Sequence, residues 1–376
     1  MKILTVDTYY PAFLERHYGE HAGLARCGYD EQLTALMGRC FGTADAYGAC
    51  FRDLGHQATD VVVNCDPLQL RWAAEHGAAV WYRRLAGLAK ERGVTAARRA
   101  IARAQVDEYD PDVIYAQDLS FHSFRDLDRM RRRGRLVVGQ IASRPPVVER
   151  LRRFDLITTS FPHFVPRFRS QGIDSEYLRI GFLPKVLGKL RDERIEPSPE
   201  ADRPYSASFV GGIDPRVHGR GTDLVERLCR RCEVDVWGYG ADALSRDSPI
   251  LERYHGEAWG LDMYAILARS KIAINRHIDA AEDYSNNMRL YEATGVGALL
   301  MTEASQNLDS LLKPGQEAIA YEGLDDLVGK VRYFSEHDEE RRRVAAAGQA
   351  RTLSRYTYER VIAELAGILE ARLERR

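Results

Sequence analysis

The sequence predicts an α/β protein with two parallel-sheet domains, and three features indicate this fold class. Short apolar runs at residues 3–6, 112–118 and 272–274 are typical of strands buried in a parallel sheet. Helical patterns separate such runs along the chain, which favours parallel strands joined by helices over hairpins. The 376 residues exceed one typical core, and a charged, proline-containing linker at 183–204 divides the strands into two sets.

The predicted elements alternate in both halves of the chain. Strands are predicted at residues 3–6, 60–64, 112–118, 137–141, 155–159 and 176–180, and after the linker at 205–210, 233–237, 272–274, 298–302 and 318–321. A long stretch separates the first two strands, and its residues 16–21 are predicted to form a loop that acts as a lid. A helical region is predicted at about residues 70–105. Domains are therefore predicted at residues 1–185 and 200–350.

Composition places the chain among ordinary soluble globular proteins, with 45% hydrophobic and 29% charged residues. No run approaches the roughly 20 apolar residues of a membrane span, and the first residues form a predicted strand rather than a signal peptide. We therefore expect a cytoplasmic protein. Its six cysteines are expected to be reduced, as is usual in the cytoplasm. Zinc is not expected at Cys229 and Cys232, because no second pair or histidine cluster accompanies them.

Charge is distributed unevenly, with an excess of basic residues in the first half and of acidic residues in the second. The basic residues of the first half cluster in two places, at Arg83, Arg84, Lys90, Arg92, Arg98, Arg99 and Arg103, and at 131–133. One interpretation is a solvated helix face; the other is contact with an anionic acceptor or membrane surface. Without an RNA-binding motif or aromatic platform, nucleic acid is not expected as a partner.

Residues 271–303 carry the most informative pattern, which predicts strand, loop, helix and strand in that order. Asn286 and Asn287 are candidate helix N-caps, and Arg289 and Glu292 fall on the first turns of the predicted helix. Backbone N–H groups at a helix start attract anions, Arg289 adds positive charge, and Glu292 accepts hydrogen bonds from hydroxyls. A phosphate and a sugar hydroxyl bound this close together indicate that the ligand is a nucleotide.

The pattern N-x-R-x-Y-E-A-x-G-x-G-A-L-L-x-T-E at residues 287–303 resembles the C-terminal domain of CgeB-type proteins, within the GT-B nucleotide-sugar glycosyltransferases. The resemblance implies two Rossmann-like domains with parallel sheets facing across a cleft. It implies an acceptor on the first domain, a nucleoside-diphosphate sugar on the second, and no cofactor. It further implies that a final helix at 358–376 packs back on the first domain. The relatives carry the pattern E-x7-E on this helix. Glu292 matches the second Glu of that pattern, which holds the ribose of the nucleotide. Tyr284 stands at the position of the first Glu.

The resemblance also assigns donor-binding residues. Arg220 stands where relatives have a Lys that contacts the diphosphate. Apart from the resemblance, Gly211 and Gly212 follow a predicted strand, and their lack of a side chain lets a phosphate or the opposing domain approach the backbone. Arg216 would compensate for Gly212, where relatives often have Arg, and Tyr239 or His255 would meet the nucleobase. The predicted donor-binding residues are Gly211, Gly212, Arg216, Arg220, Tyr239, His255, Asn287, Arg289 and Glu292.

Candidate catalytic residues follow the strands of the first half. Asp7 and Asp118 each end a predicted strand, and ligands of open α/β sheets lie beyond the carboxyl ends of the strands. His122 follows Asp118, and a neighbouring carboxylate can orient an imidazole and raise its basicity. The alternative is that Asp118 only caps the next helix. The catalytic candidates are thus Asp118, His122 and Asp7.

The function predicted is transfer of a sugar to a glycan, natural product or protein. No metal is expected, because the D-x-D pairs at Asp110 and Asp112 and at Asp126 and Asp128 precede a strand or lie within a helix. Retention of the anomeric configuration is slightly favoured over inversion by a base. The alternatives are a nucleotide-sugar 2-epimerase and a non-catalytic nucleotide-sugar-binding module. A dehydrogenase is disfavoured because no G-x-G-x-x-G follows the first strand.

Overall fold

The computed structural model describes residues 1–78 and 90–376. The chain divides into two compact units: residues 1–178 with 362–376, called unit 1, and residues 179–361, called unit 2. Each unit contains a parallel β-sheet whose inner strands are buried along most of their length. This burial explains the continuous apolar runs, because strands covered by helices on both faces cannot alternate apolar with polar residues.

Unit 1 has a six-stranded sheet in the order β2-β1-β3-β4-β5-β6. Its strands are β1 Lys2–Asp7, β2 Gln57–Val62, β3 Val113–Ala116, β4 Leu136–Ile141, β5 Leu156–Thr159 and β6 Ser175–Tyr177. All neighbouring strands are parallel, and Val6 of β1 lies opposite Ala116 of β3. The residues that follow β1 and β3 therefore meet at the same edge of the sheet.

The helices of unit 1 connect these strands. They are α1 Pro11–Glu20, α2 Tyr29–Gly38, α3 Ala46–Asp53, α4 Asp66–Glu75, α5 Lys90–Tyr109, α6 Phe124–Arg132, α7 Val148–Leu151 and α8 Phe164–Ser170, with a 3₁₀ turn at Leu24–Arg26. The prediction of a loop at residues 16–21 is wrong for most of that segment, which belongs to α1. Pro11 starts this helix at the position where a missing N–H costs nothing, and Phe13, Leu14 and His17 form its buried face.

Unit 2 has a five-stranded sheet in the order β11-β10-β9-β7-β8. Its strands are β7 Tyr205–Val210, β8 Asp235–Trp237, β9 Ser270–Asn275, β10 Leu299–Glu303 and β11 Ile319–Tyr321. Its helices are α9 Lys185–Asp192, α10 Pro215–Cys229, α11 Gly260–Ala268, α12 Met288–Gly295, α13 Leu308–Leu311, α14 Gly323–Glu336 and α15 Asp338–Arg355. Strands β9 and β10 flank α12 in sequence, which is the strand, helix and strand order predicted for this stretch.

The last helix, α16 Tyr358–Leu373, begins in unit 2, and residues 362–376 belong to unit 1. Buried Ile362, Leu365 and Leu369 form its apolar stripe. Its end is held by ion pairs of Arg372 with Asp174 and Glu176. Over the part of the chain that the structure describes, helices of sufficient length and apolar character to cross a membrane are absent.

Most basic side chains of α5, α6 and the turn after α6 are paired with carboxylates in unit 1. The pairs are Arg98–Asp66, Arg103–Asp126, Arg129–Asp107, Arg131–Asp155 and Arg133–Asp107, at 2.6–3.1 Å. This pairing reduces the positive field and supports the interpretation as a solvated helix face. Arg83 and Arg84 lie outside the described residues, as do the side chains of Lys90 and Arg92.

Candidate functional site

The candidate donor site is built on α12, which starts at the carboxyl edge of the unit 2 sheet. Leu290, Tyr291 and Ala293 are fully buried and hold the helix against the unit 2 core. The helix ends at Gly295, and Gly297 continues the chain with a φ of 77°, a left-handed conformation that favours glycine. These constraints fix the direction in which the first turn of α12 faces.

Arg289 and Glu292, one turn apart on α12, form an ion pair of 2.9 Å. The Arg289 guanidinium also donates a hydrogen bond of 2.8 Å to the backbone carbonyl of Val210, the last residue of β7, and lies 3.0 Å from the sulfur of Met263. Only 13% of the Arg289 side chain and 9% of the Glu292 side chain are exposed. Both predicted nucleotide-binding side chains therefore face inward and contact each other.

The Glu292 carboxylate is buried, and this burial raises its pKa. The positive charge of Arg289 and a hydrogen bond from the Tyr264 hydroxyl act in the opposite direction. An ionised carboxylate has about four acceptor positions, so these two partners leave capacity for a ligand hydroxyl. Tyr264 and Met263, both on α11, were missed by the sequence analysis because they lie far from α12 in sequence.

Of the two candidates for the N-cap position of α12, Asn287 occupies it, in an extended conformation. Its side chain does not cap the helix: Nδ2 donates instead to Asn275 Oδ1 at 2.8 Å and to the carbonyl of Arg276 at 3.2 Å. Asn287 therefore ties the start of α12 to the end of β9. The amides of the first turn have no side-chain cap from this residue, which leaves them able to bind an anion.

The glycine turn after β7 brings two loops together. Gly211 donates its N–H to the carbonyl of Trp237 at 3.0 Å. A Cβ on Gly212 would collide with His218 and the Tyr239 hydroxyl, so glycine is needed for the 2.9 Å hydrogen bond between those two side chains. Glycine at position 212 is thus required for packing within unit 2, and the role of Gly211 and Gly212 in donor binding stays a prediction.

Tyr239 and His255, the two candidates for the nucleobase, have different surroundings. Tyr239 follows β8 at the carboxyl edge and stacks on Trp259, with ring centroids 5.6 Å apart. His255 stacks on Trp237 at 4.4 Å and lies 2.8 Å from Asp235 at the start of β8. Because His255 is engaged along β8 itself, Tyr239 is the better placed of the two for a ligand at the carboxyl edge.

The two predicted phosphate-binding arginines of α10 also differ. Arg216 forms a two-point ion pair with Asp214, the N-cap residue of that helix, and this pairing lowers the pKa of Asp214. Arg220 is 83% exposed and lies 4.0 Å from Asp279. Arg276, which follows β9, was missed by sequence reasoning; it packs over Gly221 and pairs with Asp279 at 2.8 Å. Arg220 and Arg276 therefore share one carboxylate neighbour.

In unit 1, Asp7 and Asp118 lie at the same edge of the sheet, as the strand pairing requires. The Thr8 hydroxyl donates to Asp118 Oδ2 at 3.1 Å, and the Thr8 N–H donates to Asp7 Oδ1 at 2.7 Å. Burial raises the pKa of Asp7 to about 7, and the negative charges of Asp118 and Asp60 act in the same direction. A carboxyl group that titrates near neutral pH can exchange a proton under physiological conditions.

The predicted pairing of Asp118 with His122 is not realised among the described residues. His122 is only 2% exposed, its Nε2 has no described hydrogen-bond partner, and burial lowers its pKa to about 4. The expected increase in basicity is therefore wrong. The alternative for Asp118 also fails, because Ser123 caps α6, whereas Asp118 Oδ1 accepts a hydrogen bond from the Ser120 N–H at 2.8 Å.

The D-x-D carboxylates have structural roles in unit 1. Asp110 pairs with Arg135 at 2.7 Å, and Asp112 accepts the N–H of Lys2 at the amino end of β1. Asp126 completes the capping box of α6, and Asp128 pairs with Arg153. Within residues 1–78 and 90–376, no cluster of three or more His, Cys, Asp or Glu side chains has a geometry that could hold a metal ion.

Comparison with known proteins supports the fold and assigns part of the chain to a family model. Residues 219–367 match the model described as Glycosyl transferase-like. No curated protein sequence matches the chain significantly. The matched segment contains α12 and both arginines next to Asp279.

Solved structures resemble the chain over its full length. The sucrose-phosphate synthase of Thermosynechococcus elongatus matches with a TM-score of 0.59 and 11% identity, covering 100% of this chain and 100% of that chain. HepE of Anabaena, solved with UDP-glucose, matches with a TM-score of 0.60 and 13% identity, covering 99% and 100%. AviGT4, a glycosyltransferase involved in avilamycin A biosynthesis, gives a TM-score of 0.56 and 12% identity, covering 100% and 99%.

The prediction of a two-domain α/β protein similar to the GT-B glycosyltransferases is thereby confirmed. The narrower assignment to the CgeB type stays a prediction. The chain has the GT-B fold, and its residues 219–367 match the model described as Glycosyl transferase-like.

Proposed function

We propose that this protein is a glycosyltransferase that moves a sugar from a nucleoside-diphosphate sugar to an acceptor hydroxyl. One observation carries the proposal: the buried Glu292 carboxylate lies one turn inside α12, whose first-turn amides are not capped by a side chain. This arrangement supports binding of a hydroxyl and an anion within one helical turn, in a segment that matches the Glycosyl transferase-like model. HepE, which shares the fold, was solved with UDP-glucose.

Each group has a distinct role in the proposed donor complex. Glu292 accepts hydrogen bonds from the ribose hydroxyls, and the first-turn amides of α12 with Arg220 meet the diphosphate. Arg289 holds the Glu292 carboxylate in place and adds positive charge near the helix start. These positive groups stabilise the charge that develops on the departing diphosphate, which is the largest electrostatic contribution to catalysis of this kind. Tyr239 is the proposed contact of the nucleobase.

The proposed ribose contact predicts that Glu292→Gln weakens nucleotide binding about tenfold, because a hydrogen bond to a charged acceptor is replaced by a weaker one. A thermal-shift screen of UDP, GDP and ADP first identifies the base, and calorimetry then measures the affinity. The 2′,3′-dideoxy analogue of the same nucleotide should bind the wild type about tenfold more weakly than the parent nucleotide. It should bind the variant about as well as the parent nucleotide does.

This paired design separates ribose recognition from general damage to the site. A variant that loses affinity for both nucleotides equally has a disturbed site, and the ribose assignment would then fail. Equal binding of the two nucleotides by the wild type would reject the assignment directly. Glu339→Gln, an exposed substitution on α15, is the matched control and should leave both affinities unchanged.

We propose that the reaction requires no metal and no cofactor, since cationic side chains and helix amides supply the charge at the diphosphate. Turnover of a nucleotide sugar should therefore be unchanged, within a factor of about two, in excess EDTA. The measurement is release of nucleoside diphosphate in dialysed enzyme with and without chelator. Activity that is lost in EDTA and restored by Mn²⁺ would refute the proposal.

Retention is the proposed stereochemical course, with the departing phosphate accepting the proton of the acceptor hydroxyl. Asp7 is the group that would support inversion instead, because its pKa of about 7 suits a general base. The anomeric configuration of the first product, measured by NMR, decides between retention and inversion.

We propose that the acceptor contacts unit 1 and that the reaction takes place in the cytoplasm. Consumption of the nucleotide sugar without any acceptor would point to the epimerase alternative.

A further inference from the structure

A second concave site lies at the carboxyl edge of the unit 2 sheet, where β9, β10 and β11 end. It encloses about 330 Å³, and we call it the edge pocket. Among its lining residues are Arg220, Arg276, His277, Asp283, Glu303 and Glu322. Pockets for small ligands enclose about 300–1,000 Å³, so the edge pocket has room for one small group rather than an oligosaccharide.

The edge pocket is negatively charged. Its two arginines are both near Asp279, at 2.8 Å from Arg276 and 4.0 Å from Arg220, so that carboxylate offsets part of their charge. The carboxylates of Glu282, Asp283, Glu303 and Glu322 also line the pocket. Among the described residues, no ion pair involves Asp283, Glu303 or Glu322. A ligand group in this space meets an excess of hydrogen-bond acceptors and negative potential.

His277 adds a buried polar group to the wall of the edge pocket. Only 7% of this residue is exposed, and its Nε2 is engaged with the Ser285 hydroxyl at 2.8 Å and the Thr302 hydroxyl at 3.2 Å. Its Nδ1 has no hydrogen-bond partner among the described residues. The backbone N–H of His277 donates to Glu303 Oε2 at 2.8 Å, which fixes the Glu303 carboxylate against the wall. A buried polar atom without a protein partner indicates a place for a ligand or a water molecule.

The edge pocket adjoins the proposed diphosphate position. Asn287, at the start of α12, donates to the carbonyl of Arg276, and Arg276 lines the pocket. A group attached to a diphosphate at the first turn of α12 therefore reaches the edge pocket without crossing the sheet. Asp283 in its wall stands next to Tyr284, the residue that replaces the first Glu of E-x7-E.

We propose that the edge pocket receives the glycosyl group of the donor and selects an uncharged, hydroxyl-rich sugar over one that carries a carboxylate. This inference rests on the proposed function. Sugar hydroxyls donate to Glu303 and Asp283, whereas a uronate brings a further negative charge into the pocket that these carboxylates line. Selection against the acidic sugar thus comes from repulsion and from desolvation of an unpaired anion.

The test uses matched donors that differ only at C6: UDP-glucose with UDP-glucuronate, and GDP-mannose with GDP-mannuronate. The pair used is the one whose nucleobase the protein accepts. Calorimetry on the full chain should show that the uronate of this pair binds at least about tenfold more weakly than the neutral sugar. In the double variant Glu303→Gln and Asp283→Asn the ratio should fall to about threefold or less. Affinity for the free nucleoside diphosphate should stay unchanged, as it should in the control Glu339→Gln.

The outcomes separate this inference from the proposed function. Equal or tighter binding of the uronate by the wild type overturns the inference and leaves nucleotide-sugar binding intact. A discrimination that survives the double substitution also overturns it, since other groups must then cause the selection. Failure of every nucleotide and nucleotide sugar to bind would overturn the proposed function and this inference together. The wild-type comparison alone is decisive if the double variant does not fold.

Discussion

Arg289→Met should lower the free energy of unfolding by about 3 kcal/mol and abolish donor turnover. The substitution keeps much of the side-chain volume but leaves the Glu292 carboxylate buried without its cation. Breaking a buried ion pair from one side costs about 3–5 kcal/mol, and the Tyr264 hydrogen bond that remains offsets part of that cost. Urea unfolding and release of nucleoside diphosphate measure the two effects.

The double variant Arg289→Met with Glu292→Gln separates stability from function. Removing both charges leaves no unpaired ion, so stability should return to within about 1 kcal/mol of the wild type. Nucleotide binding should not return, because the ribose acceptor is weakened and the positive charge is gone. The sequence predicted only a binding role for Arg289, whereas the structure shows that this side chain also pairs with the buried Glu292 carboxylate.

A matched control on α10 tests whether the loss of stability in Arg289→Met comes from the burial of its ion pair. Arg227 pairs with Asp223 at 3.5 Å, but both side chains are more than half exposed. Arg227→Met should change stability by less than about 0.5 kcal/mol, as exposed helical pairs do. If Arg289→Met proves no more destabilising than this control, the ion pair with Glu292 does not hold the site together.

The strands could be predicted because burial on both faces leaves a continuous apolar signature. The run at residues 3–6 corresponds to β1 Lys2–Asp7, and the run at 112–118 contains β3 Val113–Ala116. The second strand was predicted at 60–64 but lies at Gln57–Val62, because its exposed first residue carries no apolar signal. The presence of a strand can thus be predicted from the sequence, whereas the position of a strand end that leaves the core cannot.

Helix α1 was missed because its pattern is weak. Gly19 interrupts it, its N-cap residue Tyr10 makes no side-chain cap, and only Phe13, Leu14 and His17 are buried. The buried histidine looks polar in sequence, yet it stacks on Phe13 in the core of unit 1. Tertiary burial therefore stabilises a helix that local propensity does not favour.

The candidate site shows what local spacing can and cannot predict. Arg289 and Glu292 are three residues apart, and this spacing places them on one face of a helix. Their contacts with Val210 and Tyr264 depend on how β7 and α11 pack, which no local pattern records. The same applies to Arg276, which has no motif of its own and lies beside Asp279 only because β9 ends there.

Asp7→Asn should stabilise the protein at pH 8 by about 2 kcal/mol. The pKa of Asp7 rises from 3.8 to about 7 on folding, because partial burial and two neighbouring carboxylates disfavour its ionised form. Full linkage would give about 4 kcal/mol, and solvent screening of this partly exposed group reduces the expected value. The measurement is urea unfolding of both proteins at several pH values.

The pH dependence of the stability gain shows whether it comes from the ionisation of Asp7. Below about pH 4 Asp7 is protonated in the folded and unfolded chain, so the variant should gain nothing. Between pH 4 and 7 the unfolded chain ionises while the folded chain does not, so wild-type stability falls and the gain of the variant grows. Above pH 7 the gain should be constant. A gain that is the same at every pH would instead indicate a packing effect of the amide.

Asp118→Asn provides the complementary test, since the Asp118 charge contributes to the raised pKa of Asp7. Removing that charge should lower the pKa of Asp7, so the fall in stability should end at a lower pH than in the wild type. The amide retains an oxygen that can accept the hydrogen bond from Thr8. An unchanged stability profile in Asp118→Asn would mean that the charge of Asp118 does not affect the pKa of Asp7, which burial and Asp60 would then raise.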